Sequence, residues 1–373
     1  MKTDYTSLEL ARELIGFNTI NPPGNEEALA LFIGDLFEKE GFMTSYHAFE
    51  KGRTSLIVKK KNSINKLPLS FTGHLDTVPL GKELWQKDPF IGELEGDRLF
   101  GRGASDMKGG LAAVILAVLE ANRILKGELD LQLIFTACEE TACLGAAFLA
   151  SKEGLLEKSG ALVVAEPTSN YPKIGHKGTL WLSVKYKGIT AHGSMPEKGD
   201  NAIYKAVTAI QKIKDFKLSQ IKDPLFGINT INVGTFHAGS SVNTVPDSAV
   251  FEVDIRTLPG QSSEEILKKI KPLLGKEAEI SILTKTHSLK SDPDDPWLKR
   301  VFKILEDFLP QKPQIQTAVY VTDASILTPA LGNPPTLILG PGEAEMCHKK
   351  DEFTYLSKID QAKDLYLRII RDW

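Results

Sequence analysis

Phe71-Thr72-Gly73-His74-Leu75-Asp76-Thr77-Val78-Pro79 sets the reading of the whole chain. Residues 67–72 read as a strand that ends before this turn, so His74 stands at a carboxyl end, where open α/β sheets bind their ligands. Asp76, two residues on, is placed to accept the second imidazole N–H, a contact that fixes the tautomer of a metal-binding histidine. A histidine at a strand end is by itself more often structural. Here the same design recurs, because short apolar runs at 55–58, 131–136, 161–165 and 336–339 also read as strands. Several are too continuously apolar to have a wet face, which makes them central strands of a sheet covered on both sides. Helical spacing separates them, from a Thr6 or Ser7 cap through Ile15, then at 26–41, 109–125 and 144–151. Such alternation predicts an α/β domain whose central sheet is flanked by helices.

Between about 177 and 286 the texture changes. Strands with polar alternation at 180–187, 229–236 and 249–256 are interleaved with amphipathic helices at 201–213 and 263–274. Strand, helix, strand, strand, helix, strand is the order of a ferredoxin-like α+β unit. The expected organisation is a discontinuous domain of residues 1–177 and 288–373, interrupted by an inserted domain at 178–287.

The bulk composition narrows the partners. With 45 basic against 48 acidic residues the net charge is −3, so nothing favours nucleic acid or an anionic membrane, and a small-molecule substrate is expected. No apolar run approaches the ~20 residues of a membrane span, and residues 1–16 lack the apolar core of a secretory signal. Three cysteines, Cys138, Cys143 and Cys347, are odd in number and too few for a disulfide scaffold, which fits a reducing cytoplasm. Cys138 and Cys143 read as buried, inert thiols.

Four further motifs follow strand or loop ends. Gly101-Arg102-Gly103-Ala104-Ser105-Asp106-Met107-Lys108-Gly109-Gly110 resembles a phosphate loop but lacks the third dinucleotide glycine, where Asp106 sits, and the Ser or Thr of a P-loop, where Gly109 sits. Its glycines instead let the backbone wrap a carboxylate that could bridge two metal ions. Glu139 and Glu140 follow strand 131–136; adjacent glutamates on a turn are usually solubilising, but an apolar lead-in points this pair inward. Their side chains must diverge, so one binds metal while the other serves as general base. Glu166-Pro167 repeats the strand-then-acid design, and His348 follows strand 336–339 after Gly340-Pro341-Gly342. Two histidines and three acids, His74, Asp106, Glu140, Glu166 and His348, suit a pair of divalent ions. In the insertion, His192 could donate to an oxyanion and Arg256 could grip a carboxylate or form a surface ion pair.

With these motifs in place, the chain resembles the dinuclear-zinc amidohydrolases and exopeptidases that include acetylornithine deacetylase, succinyl-diaminopimelate desuccinylase, aminoacylase, carboxypeptidase G and peptidase T. The resemblance spans the whole length through His74–Pro79, the Gly-Arg-Gly motif, Glu139-Glu140, Glu166-Pro167-Thr168 and the late His348. It implies a zinc exopeptidase-like fold with a mixed, mostly parallel sheet and a ferredoxin-like lid that also dimerises. It implies two zinc ions, with cobalt or manganese as substitutes: one held by His74 and Glu166, one by Glu140 and His348, and Asp106 bridging. Glu139 is then the general base, Asp76 orients His74, and the Asp106–Met107 bond is cis. His192 matches a histidine that reaches a neighbouring subunit's site, and Asn243 and Arg256 match contacts to the substrate carboxylate. The expected reaction is hydrolysis of an amide in a small N-acyl amino acid, of the acetylornithine or succinyl-diaminopimelate kind. A di- or tripeptidase or carboxypeptidase with the same metals is the nearest alternative. A silent metal-binding homologue is the alternative of another class, and the intact Glu139 and ligand set speak against it.

Overall fold

The computed structural model describes residues 4–63, 65–219 and 222–373; Met1 and Lys2, part of the N-terminal reading, lie outside them. The chain divides into two compact units, one of Met1–Gly175 with Lys290–Trp373, the other of His176–Leu289.

The first unit is built on a six-stranded sheet in the order Met43–Glu50, Arg53–Lys60, Leu131–Thr136, Leu69–His74, Ala161–Val164, Thr336–Ile338. The first two pairings are antiparallel and the last three parallel, so the sheet is mixed and mostly parallel. Leu69–His74, Leu131–Thr136 and Ala161–Val164 are buried at every residue, as strands covered on both faces must be. Gly109–Ile124 is apolar nearly all round and packs against the helices Ser7–Gly16 and Leu356–Asp372, while Glu27–Lys39 and Leu144–Ala150 cover Arg53–Lys60. Thr6, not Ser7, caps the first helix, in a reciprocal capping box with Glu9. A small sheet of Glu93–Glu95, Arg98–Phe100 and Phe353–Tyr355, and the helix Pro296–Glu306, have no counterpart in the sequence reading.

In the second unit the sheet order is Thr230–Ala238, Ser248–Thr257, Gly178–Lys187, Glu279–Thr286, antiparallel throughout. Burial alternates residue by residue along Ser248–Thr257, and the helices Ala202–Asp215 and Ser263–Leu274 contribute to the core on the covered face. Strand and helix succession is that of a ferredoxin-like unit. The chain leaves the first unit after Gly175 and re-enters at Lys290; the flanking residues Ile174 and Ser291 are hydrogen-bonded, Ser291 N–H to Ile174 O at 2.9 Å.

Candidate metal centre

Parallel strands align their carboxyl ends, and three candidate residues use that alignment. His74 closes Leu69–His74 and pairs in register with Thr136; Thr72 pairs with Val164, so Glu166 comes level with His74 two residues further on. Beyond Thr136 the chain turns through Cys138, Ala142 and Cys143 at φ of 61°, 77° and 55°, left-handed conformations that cost non-glycine residues roughly 1 kcal/mol or more each. Asp76 offsets that strain. Its fully buried carboxylate accepts the backbone N–H of Glu139 at 2.9 Å and of Glu140 at 3.2 Å, and Asn21 Nδ2 donates to it at 2.8 Å.

This corrects the expected contact between Asp76 and the imidazole. His74 Nδ1 lies 2.9 Å from the backbone oxygen of Asp76, and the carboxylate is 3.7 Å away, claimed by the main-chain donors of the neighbouring turn. Because a carbonyl oxygen only accepts, Nδ1 carries a proton and Nε2 is the nitrogen turned toward Asp106.

Asp106 is delivered by a loop that a second buried carboxylate holds. Glu352 accepts the N–H groups of Gly103, Ser105 and Asp106 at 3.0, 2.9 and 3.0 Å and pairs with Arg102 Nη1 at 2.6 Å. Gly340 and Gly342 press on this assembly: a Cβ at Gly340 would lie 2.3 Å from Ala165 O, and one at Gly342 would lie 2.1 Å from Ser105 O. Only glycine allows the loop before His348 to approach the Glu166 and Asp106 segments this closely. The Asp106–Met107 bond is cis, as the resemblance implies.

The result is a divided carboxylate. Asp106 Oδ1 lies 2.9 Å from His74 Nε2 and Oδ2 lies 3.5 Å from His348 Nε2. Glu166 Oε1 stands 3.9 Å from His74 Nε2, and Glu140 Oε2 stands 3.1 Å from His348 Nε2. Each half therefore holds one imidazole, one glutamate and one oxygen of Asp106. Burial first, then mutual repulsion, pushes the carboxyls of Glu139 and Glu166 well above the ordinary range and raises Glu140. Burial opposes ionisation of Asp106 too, but its hydrogen bonds to His348 and His74 hold it below the usual range. Hydrogen bonds to Asp106 and Glu140 lift His348 to about 10, and the surrounding carboxylates overcome burial to raise His74. Without a cation, this much negative charge draws protons onto the imidazoles. A set of two imidazoles and three carboxylates, one shared between both halves, fits two divalent ions.

Within the inserted unit, His192 and Asn243 come together: His192 forms a bridge with Thr244, and Gly193 N–H donates to Asn243 O at 2.7 Å. Both side chains are exposed, and His192 Nδ1 contacts Ser194 Oγ at 2.7 Å. Arg256 pairs with Asp254 at 3.1 Å and donates to Thr179 Oγ1 at 3.2 Å, realising the ion pair that the sequence left open. Cys138 and Cys143 are buried, and burial pushes the Cys143 thiol well up.

Asn21, Asp323 and Glu352 carry no role in the reading of the sequence, although Glu352 stands only four residues after His348.

The sequence profile of peptidase family M20/M25/M40 matches residues 70–372, which include all five ligand candidates. The chain belongs to that family. Named relatives cover nearly all of it: a protein named "Probable succinyl-diaminopimelate desuccinylase" from Staphylococcus epidermidis is 28% identical over 98% of both chains. An acetylornithine deacetylase from Proteus mirabilis is 29% identical over 99% of this chain and 97% of its own. Solved structures share the fold at lower identity. An M20 metallo-carboxypeptidase from Sulfolobus solfataricus superimposes with a TM-score of 0.82 at 18% identity, covering 99% of each chain. A Bacillus subtilis protein described as a dinuclear metal binding peptidase gives 0.71 at 16%, over 98% of this chain and 97% of its own. This M20 chain is thus a member of a metal-dependent hydrolase family whose named relatives include deacylases and peptidases. Among the described residues no helix is long and apolar enough to cross a membrane.

Proposed function

We propose that this protein hydrolyses the amide bond of a small N-acyl amino acid, using two zinc ions held by His74 and Glu166, by Glu140 and His348, and by Asp106 between them. The observation that carries the reading is the division of Asp106, one oxygen toward each histidine, with a glutamate completing each half. When bound, the ions supply the Lewis acidity that polarises a carbonyl and lowers the pKa of water. Glu139, beside Glu140 but absent from both halves, takes the proton of the attacking water and returns it to the leaving amine. A carboxyl that burial raises well above its ordinary range is suited to holding that proton between the two transfers.

The full-length relatives named as deacetylase and desuccinylase favour an acyl group on a diamino acid over a peptide. His192 would donate to the developing oxyanion, and Asn243 and Arg256 would receive the substrate carboxylate. The inserted unit would serve as lid and homodimer contact, and the unpaired cysteines suit a cytoplasmic enzyme. Metal-replete protein should cleave N-acetylornithine or N-succinyl-diaminopimelate faster than N-acetyl amino acids or di- and tripeptides. Preference for peptides would select the exopeptidase reading, and activity on none would remove the assignment. Glu139→Gln should lower kcat by about 10²–10⁴ with metal content unchanged; retained turnover would take Glu139 out of the mechanism.

A further inference from the structure

Glu139 also belongs to a second group of donors. One ligand atom each from Glu139, Cys143 and Asp323 lie within 4.8 Å of one another. Cys143 stands at the start of Leu144–Ala150 and Asp323 at the start of Ala324–Ala330, each only 3% exposed. Asp323 Oδ2 accepts the Thr136 hydroxyl, the Cys143 thiol, a weak donor, is its other neighbour, and Oδ1 is buried with no N–H or O–H donor. A buried carboxylate oxygen with at most a thiol for a donor is costly and rare, and a cation is one of the few groups that removes the cost.

Distances favour such an ion. Zinc bound tetrahedrally by sulfur at about 2.3 Å and carboxylate oxygen at about 2.0 Å sets those two atoms about 3.5 Å apart. Cys143 Sγ and Glu139 Oε1 are 3.7 Å apart. One sulfur and two oxygens suit a borderline or soft ion such as zinc or cadmium, while magnesium and manganese prefer oxygen alone. The two halves around Asp106 offer imidazole and carboxylate as ligands, and the Cys347 thiol beside Asp106 is the sulfur that a Cys347→Ser variant removes to tell the sites apart.

We propose that Glu139, Cys143 and Asp323 form a third cation site, selective for zinc or cadmium, and that filling it withdraws Glu139 from proton transfer, so that excess zinc inhibits. As the metal–sulfur bond forms, the thiol proton passes to solvent. The inhibitory half of the proposal rests on Glu139 being the base; the site itself rests on geometry alone.

The test starts from enzyme loaded with manganese in excess, then titrated with cadmium and compared with Cys143→Ser, Asp323→Asn and Cys347→Ser variants. Wild type and Cys347→Ser should gain a thiolate-to-cadmium ultraviolet band, and elemental analysis should find a third equivalent of metal. Cys143→Ser should lack the band, and Asp323→Asn should need at least tenfold more cadmium to develop it. Each protein's activity is referred to its own value before cadmium; wild type should lose tenfold or more as the band saturates, and Cys143→Ser less than twofold over that range. No band in wild type, or a band kept by Cys143→Ser and lost by Cys347→Ser, would overturn the site. A Cys143-dependent band with full activity would leave the site standing and overturn the inhibition, while Glu139's role as base stands or falls separately with the turnover of Glu139→Gln.

Discussion

Glu352→Gln probes the hold on the loop that delivers Asp106. Four groups converge on this carboxylate, the Arg102 guanidinium and three backbone amides, and every one of them donates. Burial pushes its carboxyl up to about 7 while Arg102 pulls the other way; since all four partners donate, the ionised form is the one its surroundings satisfy. Glutamine keeps the shape but turns an NH₂ group toward donors and leaves Arg102, with 1% of its side chain exposed, without a counter-charge. Breaking a buried ion pair from one side costs roughly 3–5 kcal/mol. Arg102 keeps Pro79 O at 3.0 Å and lies 5.0 Å above the Trp85 ring, which places the expectation at the lower end, about 3 kcal/mol. Guanidinium unfolding in the presence of a chelator reads that loss without metal linkage. A loosened Asp106 should also weaken metal binding about 10–100-fold in chelator competition. A loss under about 1 kcal/mol with unchanged metal affinity would refute the argument, since one buried pair could not then be holding the loop.

Two further perturbations reach the same centre, and a third reads the pH dependence of the fold. Gly342→Ala forces a methyl to within 2.1 Å of Ser105 O, so stability should fall by about 1–3 kcal/mol and metal retention with it; a variant that binds metal normally would show the loop to be more yielding. Chelation of the holoenzyme should lower the thermal midpoint, by about 4 kcal/mol of lost linkage where free metal had stood a thousandfold above its Kd, and an unmoved midpoint on loss of metal would count against the centre. His176 is fully buried, and burial lowers it to about 4 from 6.5, so the unfolded chain takes up the proton first. Its contribution, roughly 3 kcal/mol, is complete above the unfolded pKa, falls as pH drops from 6.5 toward 4, and is absent below. Stability of His176→Gln measured against pH should be flatter than wild type across that window; parallel curves would exclude His176 as the source.

The alternation of buried strands and helices was legible because it is written in local periodicity, and the parallel core of the sheet follows from it. Motifs at strand ends were legible for the same reason: Leu131–Thr136 and Ser263–Leu274 occur with the bounds that their spacing predicts. Partner choice was not. Asp76 was expected to bond the imidazole two residues away, whereas its carboxylate serves amides more than sixty residues on. Glu352 reads as one more charge among Lys349, Lys350 and Asp351, and only folding sets it beneath a loop some 250 residues earlier. Asp323 follows no acidic or glycine-rich cue, and the burial of its Oδ1 is a property of packing. Main-chain amides carry no sequence signature, so the groups that hold the ligands in place are harder to find than the ligands.

The hydrogen bond between Ile174 and Ser291 has an engineering consequence. Two chain ends that close belong to one hairpin-like junction, which a short turn can span in place of everything between them. A gene joining Gly175 directly to Lys290 through such a turn would encode an uninterrupted polypeptide that keeps His74, Asp106, Glu139, Glu140, Glu166 and His348. Metal titration of that minimal chain would show whether the candidate ligands suffice without the inserted unit, and the seam would accept other modules in its place.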